Sequence, residues 1–167
     1  YYDTFPDLTK FDLDEDIFGA KNVDEYIRKS YKGGWCYLKS GEENKLQDYG
    51  ITLDVNSLYP FVMHSSSGCI YPSDVPFTFK GNIPDHVKNS KNKYYFVTIR
   101  CRFKIKKGKL PFIQKKGSLL YRGTECLTTS DYYDKKTKKY YRYITDREGN
   151  KHDTKMTLTL TKTDYEL

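Results

Sequence analysis

The chain has 167 residues, 37% hydrophobic and 16% aromatic with seventeen tyrosines, and a mean hydropathy of −0.80, which suits one soluble folded domain or a piece of one and argues against a disordered tract. Its net charge of +7 is unevenly spread: residues 1–90 hold 9 basic against 14 acidic side chains and residues 91–167 hold 20 against 8, so the halves carry −5 and +12. Cys36, Cys69, Cys101 and Cys126 lie 33, 32 and 25 positions apart, which disfavours a zinc knuckle or disulfide framework and favours a reducing, cytoplasmic setting; no apolar run reaches the ~18 residues of a membrane span and no secretory signal opens the chain.

In chain order, residues 1–21 are polar and aromatic, and the acidic cluster Asp12, Asp14, Glu15, Asp16 reads as a loop or helix start rather than a metal site. A short helix is predicted from Asn22 to Tyr31, with Asn22 as cap, Glu25 completing a capping box, and Arg28 and Lys29 at the negative pole of its dipole. Tyr31-Lys32-Gly33-Gly34 follows; two glycines make a turn, or let the backbone approach another chain. Residues 39–49 are predicted as a polar hairpin loop leading to the run Ile51-Thr-Leu-Asp-Val-Asn-Ser-Leu-Tyr-Pro-Phe-Val-Met63. There a buried strand, Gly50 to Leu53, is expected to deliver Asp54 at its tip, and a helix to start with Ser57 as cap and Pro60 in the first turn. Free amides at a helix start beside a carboxylate suit a phosphate with its metal, although an Asp after a strand is also a common turn cap.

Ser65-Ser66-Ser67-Gly68 stops that helix, and a loop-rich stretch with Pro72, Pro76, Gly81 and Pro84 runs to Asn92. Residues 94–107 are predicted as the clearest strand, with Tyr95, Val97, Ile99, Cys101, Phe103 and Ile105 on one face and Thr98, Arg100, Arg102 and Lys104 on the other. Lys109 to Gln114 with Pro111 fits an edge segment, followed by the cations Lys115, Lys116 and Arg122 and the ring of Tyr121. Residues 138–145 and 155–162 are expected to pair as a hairpin turning near Glu148-Gly149-Asn150, and Thr163-Asp164-Tyr165-Glu166 to cap a last helix. Alternating cations and rings, notably Arg100, Arg102, Lys104, Lys116 and Tyr121, are the candidate DNA-binding set.

The string Asp54-Val55-Asn56-Ser57-Leu58-Tyr59-Pro60 resembles motif A of family B DNA polymerases, and most of all the protein-primed branch of phages, viruses and linear plasmids. The resemblance implies that Asp54 holds catalytic magnesium or manganese with help from the Val55 carbonyl. It further implies that amides around Ser57, Leu58 and Tyr59 touch the incoming deoxynucleoside triphosphate, and that the Tyr59 ring lies under the deoxyribose and excludes a 2′-hydroxyl. Tyr31-Lys32-Gly33-Gly34 resembles the family's Tyr-x-Gly-Gly segment, which implies template contacts for Tyr31, Gly33 and Gly34. Ile99-Arg100-Cys101-Arg102-Phe103, Leu110-Pro111-Phe112-Ile113-Gln114 and Leu158-Thr159-Leu160 resemble the family's first terminal-protein-region insertion, which implies contact with a priming terminal protein and with primer and template. The lysine- and tyrosine-rich stretch 131–143 departs from that pattern.

The expected architecture is α+β: a linker with the Tyr-x-Gly-Gly segment over 1–49, a partial polymerase palm of strand and helix over 50–68, and an antiparallel β-rich insertion lobe over 69–167. Two-metal phosphoryl transfer needs at least two carboxylates, and neither the family's second metal motif, Tyr-x-Asp-Thr-Asp, nor its nucleotide-binding helix, Lys-x-x-x-Asn-Ser-x-Tyr-Gly, is found. The chain is therefore expected to be an inactive piece of a phage-, prophage- or plasmid-encoded DNA polymerase. One alternative is a non-catalytic basic β-rich module that binds single-stranded DNA or a protein. The other is a metal nuclease assembled from Asp12, Asp14 and Asp54, for which His64, His86 and His152 supply no visible general base.

Overall fold

The computed structural model describes residues 5–36, 38, 39, 41–115 and 125–167. In chain order they form helices α1 (Glu15–Phe18), α2 (Val23–Arg28), α3 (Leu58–Met63), α4 (Asp85–Lys88) and α5 (Lys162–Glu166). The strands are β1 (Phe96–Cys101), β2 (Ile113–Lys115), β3 (Glu125–Leu127), β4 (Tyr132–Asp134), β5 (Lys139–Tyr141), β6 (Tyr143–Thr145), β7 (Lys151–Asp153) and β8 (Met156–Thr161). The class is mixed α+β, with antiparallel pairing, but the strands form four two-stranded ribbons, β1–β8, β2–β3, β4–β5 and β6–β7, rather than the expected single twisted sheet. Six of the eight are three residues long, too short to offer a second edge with an apolar face behind it.

Two units divide these elements: residues 7–33 with 78–167, and residues 34–77 with the N-terminal residues through Pro6. In the first, α1 and α2 form because their caps are supplied locally. Asp14 accepts from the amides of Asp16 and Ile17, and Asn22 accepts from the Glu25 amide at 2.9 Å. Glu25 reaches back to the Lys21 amide at 2.7 Å, one residue earlier than a standard capping box. The helix predicted to Tyr31 ends at Arg28, where Arg28 pairs with Asp24 at 2.6 Å.

The core of this unit is Ala20, Val23, Val87, Tyr95, Ile113, Leu127 and Leu160. The predicted alternation holds in β1, where Val97, Ile99 and Cys101 are half-buried while Thr98 and Arg100 are exposed. It also selects the partner of β1, which is β8 and not, as expected for β8, the 138–145 segment. In the observed register Val97 faces Leu160, Ile99 faces Leu158 and Cys101 faces Met156, and on the other face the hydroxyls of Thr98 and Thr159 meet at 2.9 Å. Matching apolar to apolar on one face and threonine to threonine on the other fixes that register. β5, exposed at all three residues, offers β8 no such face.

The strand predicted over 94–107 stops at Cys101 because the chain changes partner: Phe103 receives the Ser130 amide on its carbonyl, and Ile105 donates to Thr128. The turn near Glu148-Gly149-Asn150 is where it was expected, but it joins β6 to β7. α5 is capped by Thr161, which accepts from the Asp164 amide, two residues before the predicted cap at Thr163.

The second unit differs in kind: none of its described residues is buried. The expected strand Gly50–Leu53 is absent, and Ile51 and Leu53 are 87% and 88% exposed. A strand exists only when a neighbour takes its amides and carbonyls, and no described segment pairs with this one. α3 does form, with Pro60 in its first turn as expected. Its end is closed by Tyr71 and Ser67, whose hydroxyls both donate to the Val62 carbonyl, at 2.9 and 3.0 Å. The 39–49 stretch turns, with the Glu42 amide on the Lys39 carbonyl at 3.1 Å, but no strands flank it.

Candidate functional site

Asp54 lies outside any helix or strand, four residues before α3, exposed, and none of the described residues donates to its carboxylate. Val55 is 59% exposed, Leu58 44% and Tyr59 77%. Ser57 stands at the N-cap but does not cap: its backbone is left-handed, φ 50°, and its hydroxyl makes no capping bond. The side chain is turned out of reach of the helix amides by this conformation, which costs an L-residue about 1–2 kcal/mol. The start of α3 therefore keeps its amides unoccupied by any side-chain cap, beside an exposed carboxylate and an exposed ring.

Magnesium takes a near-octahedral shell of oxygens, and Asp54 with the Val55 carbonyl supplies only part of one. Among the described residues no three His, Cys, Asp or Glu side chains come together to complete it. Those two donors would make up one side of a cation site and leave the rest to be supplied, while Asp14 is spent on capping α1.

The Tyr31–Gly33 segment is held in the first unit by residues that sequence reasoning passed over. The Gln114 amide grips Gly33 at both backbone groups, accepting its N–H at 3.1 Å and donating to its carbonyl at 3.4 Å, as a neighbouring strand would. The Lys32 ammonium lies 2.7 Å from the Asp164 carboxylate and 5.4 Å from the centre of the Phe112 ring. It is out of line for a hydrogen bond to that carboxylate, so the attraction is that of an ion pair over a ring. Tyr31 remains 74% exposed beside a groove of about 570 Å³ lined by Arg28, Lys32, Thr161 and Asp164. Gly34 belongs to the other unit, where a Cβ on it would meet nothing within 4 Å. Gln114 stood in an insertion segment and Asp164 in the predicted cap of the last helix, neither with a partner indicated; Lys32 occupied the unspecified position of its motif, 132 positions before Asp164.

The predicted cationic face separates into distinct roles. Arg100 is exposed opposite Thr157, and Lys104 is exposed where it bridges Thr129. Arg102 is committed internally: its guanidinium pairs with Asp153 at 2.8 Å, donates to the Arg142 carbonyl at 3.3 Å and lies 5.2 Å from the centre of the Tyr143 ring. The Lys155 amide, and with it that guanidinium, holds the Asp153 carboxyl below its ordinary value. Lys116 and Tyr121 lie outside the described residues.

Comparison with known proteins places these features in a lineage. The chain is 35% identical over 108 residues to the DNA polymerases of Bacillus phages PZA and phi29, and equally to that of phage Nf. Each alignment covers 65% of this chain and 18% of the relative, so the chain spans less than a fifth of the length of the curated relatives it matches. No solved structure matches it. Residues 11–149, which include Asp54, Tyr59, the Tyr31–Gly34 segment and β1, match the model of DNA polymerase type B, organellar and viral, and the chain belongs to that family.

Proposed function

We propose that this chain is the part of a DNA-directed DNA polymerase that carries its first catalytic carboxylate and part of its grip on primer, template and priming protein. The observation that carries this reading is the Asp54–Tyr59 stretch. It presents an exposed carboxylate, helix-start amides without a side-chain cap and a 77% exposed ring within six residues, inside the span matched by the family.

In the complete polymerase, Asp54 and the Val55 carbonyl are one part of the ligand set for magnesium or manganese, the other carboxylates coming from the rest of the longer protein. A divalent ion there would neutralise charge on the triphosphate. Ser57, Leu58 and Tyr59 offer backbone amides to the triphosphate of the incoming nucleotide, and the Tyr59 ring bars a 2′-hydroxyl. Tyr31, Gly33 and Gly34 track the template, and Arg100 and Lys104 add phosphate contacts. Deoxynucleotides are added to a protein or DNA primer in the cytoplasm of a phage- or plasmid-bearing bacterium, and among the described residues no helix is long and apolar enough to cross a membrane.

The test is single-turnover nucleotide incorporation by the full-length polymerase. Asp54→Asn is expected to lower it by about a hundredfold or more while leaving DNA binding within about twofold, the pattern of a lost charge-stabilising group. Incorporation within about tenfold of wild type would overturn the role of Asp54. Tyr59→Val is expected to raise ribonucleotide incorporation with little change for deoxynucleotides. The 167-residue chain by itself is expected to extend no primer.

A further inference from the structure

The hairpin β4–β5 has an unusual make-up, Tyr132-Tyr-Asp-Lys-Lys-Thr-Lys-Lys-Tyr-Tyr141, with no aliphatic residue at all. Its rings are not used as core. Tyr133, Tyr140 and Tyr141 are 43%, 57% and 39% exposed, and β5 is open to solvent at every residue. Tyr133 and Tyr140 sit directly opposite one another, centroids 5.0 Å apart and planes 47° apart, forming a two-ring platform on one face of the ribbon.

Around the turn stand four exposed lysines, 135, 136, 138 and 139. The single acid of the hairpin is turned inward: Asp134 accepts from the Lys136 amide at 2.9 Å and the Thr137 hydroxyl at 2.8 Å. Lys138 holds φ 54°, a conformation glycine would adopt without strain, so the turn keeps a cation where a turn alone does not favour one.

We propose that the β4–β5 ribbon is a binding surface for single-stranded nucleic acid, in which a base stacks on the Tyr133–Tyr140 platform and the turn lysines take the flanking phosphates. The strand is DNA on the polymerase reading, and in that choice alone the inference rests on it. Rings give every base a π-face and lysines neutralise phosphate without reading sequence, so binding is sequence-tolerant and salt-dependent. A protein partner is disfavoured, because interface cores are depleted in lysine and enriched in apolar anchors that this hairpin lacks.

The experiment is fluorescence anisotropy with the 167-residue chain, free of metal and nucleotide, on three probes: a labelled oligo-dT, an abasic strand with the same number of phosphates, and a closed duplex. Tyr133→Ala with Tyr140→Ala is expected to weaken oligo-dT binding about 5- to 150-fold. It should leave the abasic strand unchanged, and the matching Phe pair should restore affinity. Replacing the four lysines by serine is expected to flatten the log affinity against log salt slope by about 1 to 3. This arm also decides the matter should the alanine pair lose the circular dichroism of the folded chain. Equal loss on oligo-dT and abasic strand would overturn the stacking platform. Unchanged binding of all three probes across both variants would overturn the surface itself and assign the ribbon to a protein. With a labelled oligo-rU of the same length as a fourth probe, tighter binding than to oligo-dT, with the ring dependence intact, would support the surface while failing the polymerase reading. Nothing in this assay depends on Asp54, so the catalytic proposal stands or falls separately.

Discussion

At the scale of single residues, local hydrogen bonding decides several fates that residue type alone leaves open. Asp146 is one of five acids from position 131 to 155, and it accepts most of the side-chain bonds of the β6–β7 turn. It accepts from the His152 ring nitrogen at 2.7 Å and from the amides of Asn150 and Glu148 at 2.8 and 2.9 Å. The His152 bond first, and those amides with it, hold its carboxyl at about 2, down from 3.8. Because the folded value lies below the unfolded one, the stabilisation is complete above pH ~3.8 and is lost as pH falls through about 2. Proton NMR should show the Asn150 amide titrating with a midpoint near 2, and Asp146→Asn should abolish that titration. A midpoint near the ordinary value would mean that the turn does not hold this carboxylate. Ser57 shows the converse case. Serine is a preferred cap, but its left-handed backbone removes the bond that its sequence position promised.

Elements were legible where their signals are local. Asn22 and Glu25 marked the start of α2, and the alternation of residues 95–101 marked β1. The last helix was displaced because two threonines, Thr161 and Thr163, each precede an acid by three residues. The pairing of β8 breaks the tie: Thr161 faces Phe96 as the final ladder residue, so the helix must start at once after it.

α5 then carries Asp164 to Lys32, with side chains 22% and 21% exposed for lysine and acid. Removing one partner of such a pair strands a charge, whereas removing the lysine charge with its shape kept leaves Asp164 bonded to the Thr161 hydroxyl at 3.0 Å. Asp164→Asn is therefore expected to destabilise the chain by about 1–3 kcal/mol, reduced from the fully buried case by residual solvent. Lys32→Met should lie within about 1 kcal/mol of wild type. Urea denaturation of the two variants distinguishes these outcomes, and equal losses would show that the pair is mere surface charge.

For the whole molecule, the two units differ in how they are held. Among the described residues every buried apolar one lies in 7–33 and 78–167, while Leu46, Tyr49, Ile51 and Leu53 of the other unit are each at least 87% exposed. Local opening is governed by such burial and by backbone pairing. Hydrogen exchange followed by mass spectrometry should find peptides spanning 45–57 exchanged within seconds, and peptides spanning 96–101 and 156–161 protected far longer. Comparable protection in both would mean that residues 51–53 do pair in solution. The aligned stretch makes up 18% of the length of those phage relatives. A run of alternating apolar residues becomes a strand only beside another edge.

The sequence by itself determined the family, the caps of α2, the face of β1 and the cationic bias of the second half. Each rests on residues close together in the chain or on composition. Only the tertiary structure decided that β1 takes β8 as partner, that Arg102 is spent on Asp153, that Gln114 holds Gly33 and Asp164 holds Lys32, and that residues 51–53 remain unpaired. Those outcomes depend on which distant groups compete for the same hydrogen-bonding and charged partners. No local pattern encodes that competition, because its energy belongs to pairs separated by tens of residues.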